Sequence, residues 1–70
     1  MALNIEISAN GQKFSTVAGA SLIQFLQTRG FTPGQVVVEY NGQPLTPAEV
    51  QTITLAAGDQ LEVVQIVAGG

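Results

Sequence analysis

Asn10-Gly11 stands between two β-prone segments and commits the start of the chain to a hairpin. Both residues tolerate positive φ, which the common two-residue hairpin turn requires. The segment before it, Leu3-Asn4-Ile5-Glu6-Ile7-Ser8, alternates apolar and polar residues. Leu3, Ile5 and Ile7 then share one face of a half-buried strand. The segment after it, Gln12 to Val17, carries Phe14, Thr16 and Val17 and reads as the returning strand, though its alternation is poor. A hairpin with one apolar face must bury that face against something else. The chain has 70 residues, no Cys and no His. Disulfides, Cys/His zinc sites and thiol chemistry are all excluded. A single small domain hides only roughly 60% of the surface its unfolded chain exposes. The 46% apolar content must therefore hold the fold through an ordinary core.

The next segment supplies the cover. Ala18-Gly19-Ala20 breaks the strand, and Ser21 with Gln24 three positions on forms a capping-box pattern. Leu22, Phe25 and Leu26 occupy i, i+3 and i+4, one apolar stripe. Arg29 suits the last turn and Gly30 the stop, so a helix is expected over Ser21–Arg29. Phe31-Thr32-Pro33-Gly34 reads as a loop. Val36–Tyr40 reads as a strand, buried on both faces at its start. Asn41-Gly42 is a second turn signal. Thr46-Pro47-Ala48-Glu49 combines a capping-box spacing with Pro at the first helical position, so a single helical turn is expected. Ile53–Leu55 is a short extended piece, and Ala57-Gly58-Asp59 a turn. Gln60–Val67 is the last strand, with Leu61 and Val63 on one face and Glu62 and Val64 on the other.

The order is thus β-β-α-β, a helical turn, then β. The last strand is the most apolar and belongs in the middle, beside the first. The expected fold class is α+β, a β-grasp: a mixed sheet, one main helix across it, and a short helical turn before the last strand. Residues 1–67 form the domain and Ala68-Gly69-Gly70 a flexible tail. The expected core contains Ile5, Ile7, Leu22, Phe25, Leu26, Val36, Val38, Leu61 and Val63.

Five acids stand against Lys13 and Arg29, for a net charge of −3. Two bases cannot line a nucleic-acid phosphate backbone or an anionic membrane. An acidic domain fits a protein partner with a basic groove. Met1 to Asn10 has no signal-peptide pattern, and no segment has the roughly 20 apolar residues of a membrane span. A monomeric cytoplasmic protein is expected.

No Ser/His/Asp set or phosphate loop is present. Glu6 and Glu62 would be neighbours if the first and last strands paired, which allows a solvated sheet face or, less simply, a paired-carboxylate site. The end of the chain is less ordinary. With Gly at about 7% of residues, Gly-Gly falls at a terminus in roughly one chain in two hundred. Such an end is either a frayed terminus or a slender tail that carries a carboxylate into another protein's active site. Gly lacks Cβ, so Gly69 and Gly70 could pass a narrow channel. Val64 and Ile66 point away from Leu61 and Val63 and would form an apolar docking patch beside the tail.

Gly58-Asp59, an alternating strand, a short apolar stretch and Gly69-Gly70 together resemble the C-terminal signature of the ThiS family, ubiquitin-like β-grasp sulfur carriers of thiamine biosynthesis. Ala18-Gly19-Ala20-Ser21-Leu22 before Phe25-Leu26, and Val36-Val37-Val38-Glu39-Tyr40-Asn41-Gly42, are also similar to it. The likeness spans the chain, with only the terminal motif specific. Many members carry a Pro-Arg pair where this chain has Thr46-Pro47 and no Arg, so any partner contact made by that Arg is missing here. The resemblance implies a carrier rather than an enzyme, with no cofactor of its own. A partner adenylating enzyme would activate the Gly70 carboxylate with ATP. A desulfurase system would supply a persulfide sulfur, giving a thiocarboxylate. A thiazole synthase would receive the sulfur, while Ala68 and Gly69 thread the tail into the partner. Three other readings stay open: the small subunit of molybdopterin synthase, a ubiquitin-like modifier, and a binding module without carboxylate chemistry. The missing proline in Val64-Gln65-Ile66-Val67 favours the thiazole pathway over molybdopterin synthase.

Overall fold

The computed structural model describes residues 3–66. Its elements run β1 (Asn4–Ala9), β2 (Gln12–Val17), α1 (Leu22–Thr28), a 3-10 turn (Pro33–Gln35), β3 (Val36–Tyr40), β4 (Gln43–Pro44), α2 (Pro47–Val50) and β5 (Gln60–Gln65). The five strands form one sheet in the order β2-β1-β5-β3-β4. β5 runs parallel to β1 and antiparallel to β3, so the last strand occupies the centre, as its apolar content predicts.

Both Asn-Gly pairs make the turns expected of them. Asn10 and Gly11 have φ of 52° and 80°, and Asn41 and Gly42 have φ of 49° and 86°. Positive φ at both central positions matches the right-handed twist of the flanking strands. The first turn sets the register Ile7↔Phe14 and Ile5↔Thr16. The second closes a short hairpin of β3 and β4, with Tyr40 opposite Gln43. The β4 strand has no alternation long enough to be read from sequence.

α1 is short for a helix and depends on its ends and its packing. Ser21 Oγ accepts from the Gln24 N–H at 3.0 Å, and Gln24 Oε1 accepts from the Ser21 N–H at 3.0 Å. At the other end Arg29 is the C-cap and lies outside the last turn. Gly30, at φ 83°, lets the Gly30 and Phe31 N–H groups donate to the Gln27 and Leu26 carbonyls at 3.0 and 2.9 Å, a Schellman closure. Leu22, Phe25 and Leu26 are buried and pack with Ile7, Val38, Leu61 and Val63 of the sheet. Thr46 and Glu49 form the second capping box, at 2.8 and 3.2 Å, around α2.

The expected core needs correction at its margins. Ile5 and Val36 are half-buried and pack against the cluster, while Ala9, Val50 and Leu55 belong to it. Leu3 shares the apolar face of β1 but is 73% exposed, because it precedes the stretch that α1 covers. Val36–Tyr40 is not buried on both faces: only Val38 is buried. In Phe31–Gly34, read as loop, Pro33 instead starts the 3-10 turn. Leu55 is drawn in by the loop after α2, whose Leu55 N–H donates to the Ala20 carbonyl at 2.9 Å.

Phe25 stands mid-stripe on α1 and meets Phe14 edge-on at 5.5 Å between ring centroids. Truncation to Ala should cost about 3–5 kcal/mol, much of the stability of a domain this small. A denaturant titration of Phe25→Ala checks this, and a midpoint equal to the parent's would disprove the role given to this helix face.

Candidate functional site: the open sheet face beside the end of β5

α1 covers one face of the sheet only. On β5, Leu61 and Val63 point under the helix and are buried, while Glu62 and Val64 point away and are exposed. Antiparallel pairing with β3 sets Val37 opposite Val64 and Glu39 opposite Glu62. Val37 is 46% exposed, Val64 62% and Ile66 52%. Three apolar side chains thus lie on the uncovered face where β5 ends, with two carboxylates directly opposed one step along the ladder. Like charges facing each other across a strand pair destabilise the sheet, so this arrangement does not serve the isolated fold.

The strand that carries these residues is held along its length. At its start, buried Asp59 accepts from the Tyr40 hydroxyl at 2.7 Å, the Ala56 N–H at 2.8 Å and the Asn41 amide at 3.2 Å. Asn41 Oδ1 in turn accepts from the Gln60 N–H at 2.8 Å. Midway, Asn10 Oδ1 accepts from the Val63 N–H at 2.7 Å and its Nδ2 donates to the Val63 carbonyl at 3.1 Å. The Asn10 amide mimics a backbone unit and prolongs the pairing past the end of β1. Lastly, the Ile66 N–H donates to the Gln35 carbonyl at 2.8 Å, so the point from which the chain continues toward residues 67–70 is fixed beside the start of β3.

Burial works against ionisation of Asp59, but the hydrogen bonds from Tyr40, Ala56 and Asn41 outweigh it and hold the carboxyl below its ordinary 3.8. For Tyr40 the order of effects differs. Its hydrogen bond to Asp59 comes first, then burial, then the Asp59 charge, and all push the phenol above 10.0.

Val64 and Ile66 lie where the alternation places them, exposed on the open face. The expected site residues Ala68, Gly69 and Gly70 lie outside the described residues, as does Val67, the expected last residue of β5. The expected meeting of Glu6 with Glu62 does not occur. The parallel register Ser8↔Gln60 and Ala9↔Leu61 carries Glu62 beyond the end of β1, and Glu6 instead lies 3.7 Å from Lys13 Nζ. Two partners of the patch were missed. Val37 sits in an unbroken run of valines that reads as buried on both faces, and its one outward signal is Glu39, two positions on and so on the same face of the strand. The Glu39–Glu62 pair depends on inter-strand register and has no local signal. Among the described residues no three acidic side chains gather as a metal-binding group, and no helix is long and apolar enough to cross a membrane.

A mixed sheet with a central last strand, one crossing helix and an exposed patch at the strand's exit defines a ubiquitin-like β-grasp domain. The chain belongs to the ThiS family, whose sequence model matches residues 3–70. It is 33% identical over 66 residues to a thiazole synthase of Magnetococcus marinus; the match covers 94% of this chain and 20% of that protein. The chain therefore spans about a fifth of the length of that curated relative. The crystal structure of a thiamine biosynthesis protein (ThiS) from Geobacter metallireducens superposes with a TM-score of 0.73 at 27% identity, over 94% of this chain and all of that one. A ubiquitin from Caldiarchaeum subterraneum shares the fold, with a TM-score of 0.55 at 19% identity over the full length of both chains.

The Asp59 network makes stability depend on pH in a defined direction. A carboxyl whose folded pKa lies below its unfolded value adds stability above about 3.8, and that contribution is lost as pH falls through the lower folded value. Glu49, held low by hydrogen bonds from Thr46, shares this sign. Melting temperature should fall as pH drops below about 4, and Asp59→Asn should flatten that fall while lowering stability at neutral pH. Thermal melts from neutral pH downward check this, and an unchanged acid slope in Asp59→Asn would remove Asp59 from the account.

Proposed function

We propose that this chain is a sulfur carrier of thiamine biosynthesis whose reactive group is the α-carboxylate of Gly70. It is a carrier and not a catalyst: partners supply the catalytic residues, and the chain supplies a group and a docking face. One observation carries the reading: a ThiS-family chain holds its last strand rigidly in the sheet centre and aims its exit past an uncovered apolar patch.

The chemistry needs activation, because a carboxylate is a poor electrophile until one oxygen becomes part of a good leaving group. An adenylating partner joins the Gly70 carboxylate to the AMP portion of ATP and releases pyrophosphate. A persulfide sulfur from a desulfurase system then displaces AMP, and cleavage of the sulfur–sulfur bond by a thiol leaves a thiocarboxylate. That sulfur is soft and ionised near neutral pH, and so nucleophilic. A thiazole synthase receives it. The match to one part of a thiazole synthase supports this partner over molybdopterin synthase. Ala68 and Gly69 thread the tail, since the absence of bulky side chains suits a narrow channel. Val37, Val64 and Ile66 dock against the partner's apolar surface, and Glu39 and Glu62 meet its basic groups. ATP belongs to the partner's chemistry, and the cytoplasm is the compartment that suits a reduced thiol supply.

Adding one residue after Gly70 moves the carboxyl by about 3.5 Å, as far as the whole separation allowed between reacting atoms, about 3–3.5 Å. This extension and the deletion of Gly70 should each abolish ATP–pyrophosphate exchange with the cognate adenylating enzyme. Melting temperature should stay unchanged, since among the described residues no core residue lies beyond Val63. Gly69→Val should slow exchange greatly. Full exchange by the extended protein would overturn the carrier reading.

Docking is tested separately. Val64→Asp and Ile66→Asp should weaken binding to the adenylating enzyme by about tenfold or more, as for loss of an apolar anchor worth over 1.4 kcal/mol, while leaving the melt intact. Parental affinity in both variants would remove the patch.

A further inference from the structure

The two edges of the sheet are built differently. β4 closes one edge with two residues, and Pro44 has no N–H to offer. Short edge strands and proline are ordinary defences against unwanted pairing. β2 forms the other edge with six residues and no proline. Its free groups can be assigned. The Ala18 N–H donates to the Leu3 carbonyl at 2.7 Å, and hydrogen-bonding direction alternates along an antiparallel strand. Gln12, Phe14 and Thr16 therefore face β1. Lys13, Ser15 and Val17 present their N–H groups outward, as Lys13 and Ser15 do their carbonyls, while the Val17 carbonyl accepts from the Ala20 N–H at 3.0 Å.

A groove of about 440 Å³ runs beside this edge, between β2 and α1, with Phe14, Ala18, Ala20, Phe25, Thr28 and Arg29 in its lining. The Arg29 guanidinium lies 4.5 Å from the centre of the Phe14 ring, and no carboxylate among the described residues pairs with it. Lys13 stands on the same strand, but its side chain lies on the opposite face of the sheet beside Glu6, so among the described residues Arg29 is the one basic side chain that lines this groove. Among the described residues no acidic side chain lines the groove.

We infer that the β2 edge and its groove bind an extended segment of another protein by strand addition, with alternate apolar side chains in the groove and a carboxylate on Arg29. Main-chain bonds to Lys13, Ser15 and Val17 give the affinity, and the groove reads every second side chain. Charge decides the occupant. A second copy would offer its own β2, Gln-Lys-Phe-Ser-Thr-Val, which brings a lysine and no acid to Arg29. An acidic, apolar strand from a different protein instead brings a carboxylate to Arg29, which no acid of this chain meets among the described residues. This surface lies on the edge opposite β4 and is separate from the docking patch on the open face, so it stands whether or not the carrier reading does.

The test uses the full chain and a capped peptide, Asp-Thr-Val-Thr-Val-Thr-Val, in a heteronuclear NMR titration with amide hydrogen exchange. Shift changes should be confined to Gln12–Val17 and Phe25–Arg29. Exchange should slow at the Lys13, Ser15 and Val17 amides and not at Phe14 or Thr16, whose N–H groups already face β1. Arg29→Glu should weaken binding by about tenfold, the scale of one exposed charge-assisted contact, and should favour the same peptide with Lys in place of Asp. Ser15→Pro, which removes one outward N–H and no bond to β1, should abolish binding; Ser15→Ala should retain it and so controls for the side chain. Groove shifts without slowed exchange at the odd-numbered amides would overturn strand addition. Concentration-dependent protection of those amides without peptide would make a second copy the occupant and overturn the assignment, as would the absence of any shift at millimolar peptide.

Discussion

β5 depends on hydrogen bonds from both sides, and the rest of the domain is arranged around that requirement. A central strand must find partners for every backbone group it buries. β3 serves the full length of β5 on one side. β1 pairs with only its first part, and the Asn10 side chain supplies the next two bonds, to Val63. The residue that permits the hairpin turn by accepting positive φ is therefore also the residue that completes the central strand. Asn41 repeats the device at the other turn, through Gln60 and Asp59. Turn geometry and sheet closure are coupled at both places, and a glycine at either would keep the turn and lose the bonds.

Because β5 is held from both sides, its two faces can serve different ends. Leu61 and Val63 give their surface to α1. Glu62 and Val64 stay uncovered without loosening the strand, since backbone bonds rather than side-chain burial secure them there. The same logic accounts for the opposed Glu39 and Glu62. Their repulsion is small in water and is tolerated by a strand already fixed at Asp59 and at Ile66. A rigid strand with an apolar outer face and a located exit is what a carrier needs if its end must reach another protein's site at a constant depth.

The edges extend this division. β4 ends in proline after two residues, whereas β2 leaves three outward donors and two outward acceptors beside a groove with a guanidinium in it. Arg29 shows how position changes a residue's use. In sequence it reads as a cation for the helix end. In the fold it is the C-cap, lies over Phe14, and brings its charge to the sheet edge instead.

The sequence by itself determined the elements whose cause is local, the 3-10 turn at Pro33 apart. Asn-Gly turns need only the φ preference of two residues, the capping boxes of α1 and α2 only a three-residue spacing, and the outward direction of Val64 only the strand period of two. The fold class followed from the order of those elements, and the family resemblance from the residues that end the chain. Tertiary structure decided what depends on register between distant segments. It set Glu62 against Glu39 and away from Glu6, joined Val37 to Val64, joined Asn10 to Val63, and buried Asp59 against Tyr40. Register reflects the packing of the whole sheet under one helix, and no local preference carries that information, because shifting a pairing leaves each strand's own pattern unchanged while replacing every neighbour across it.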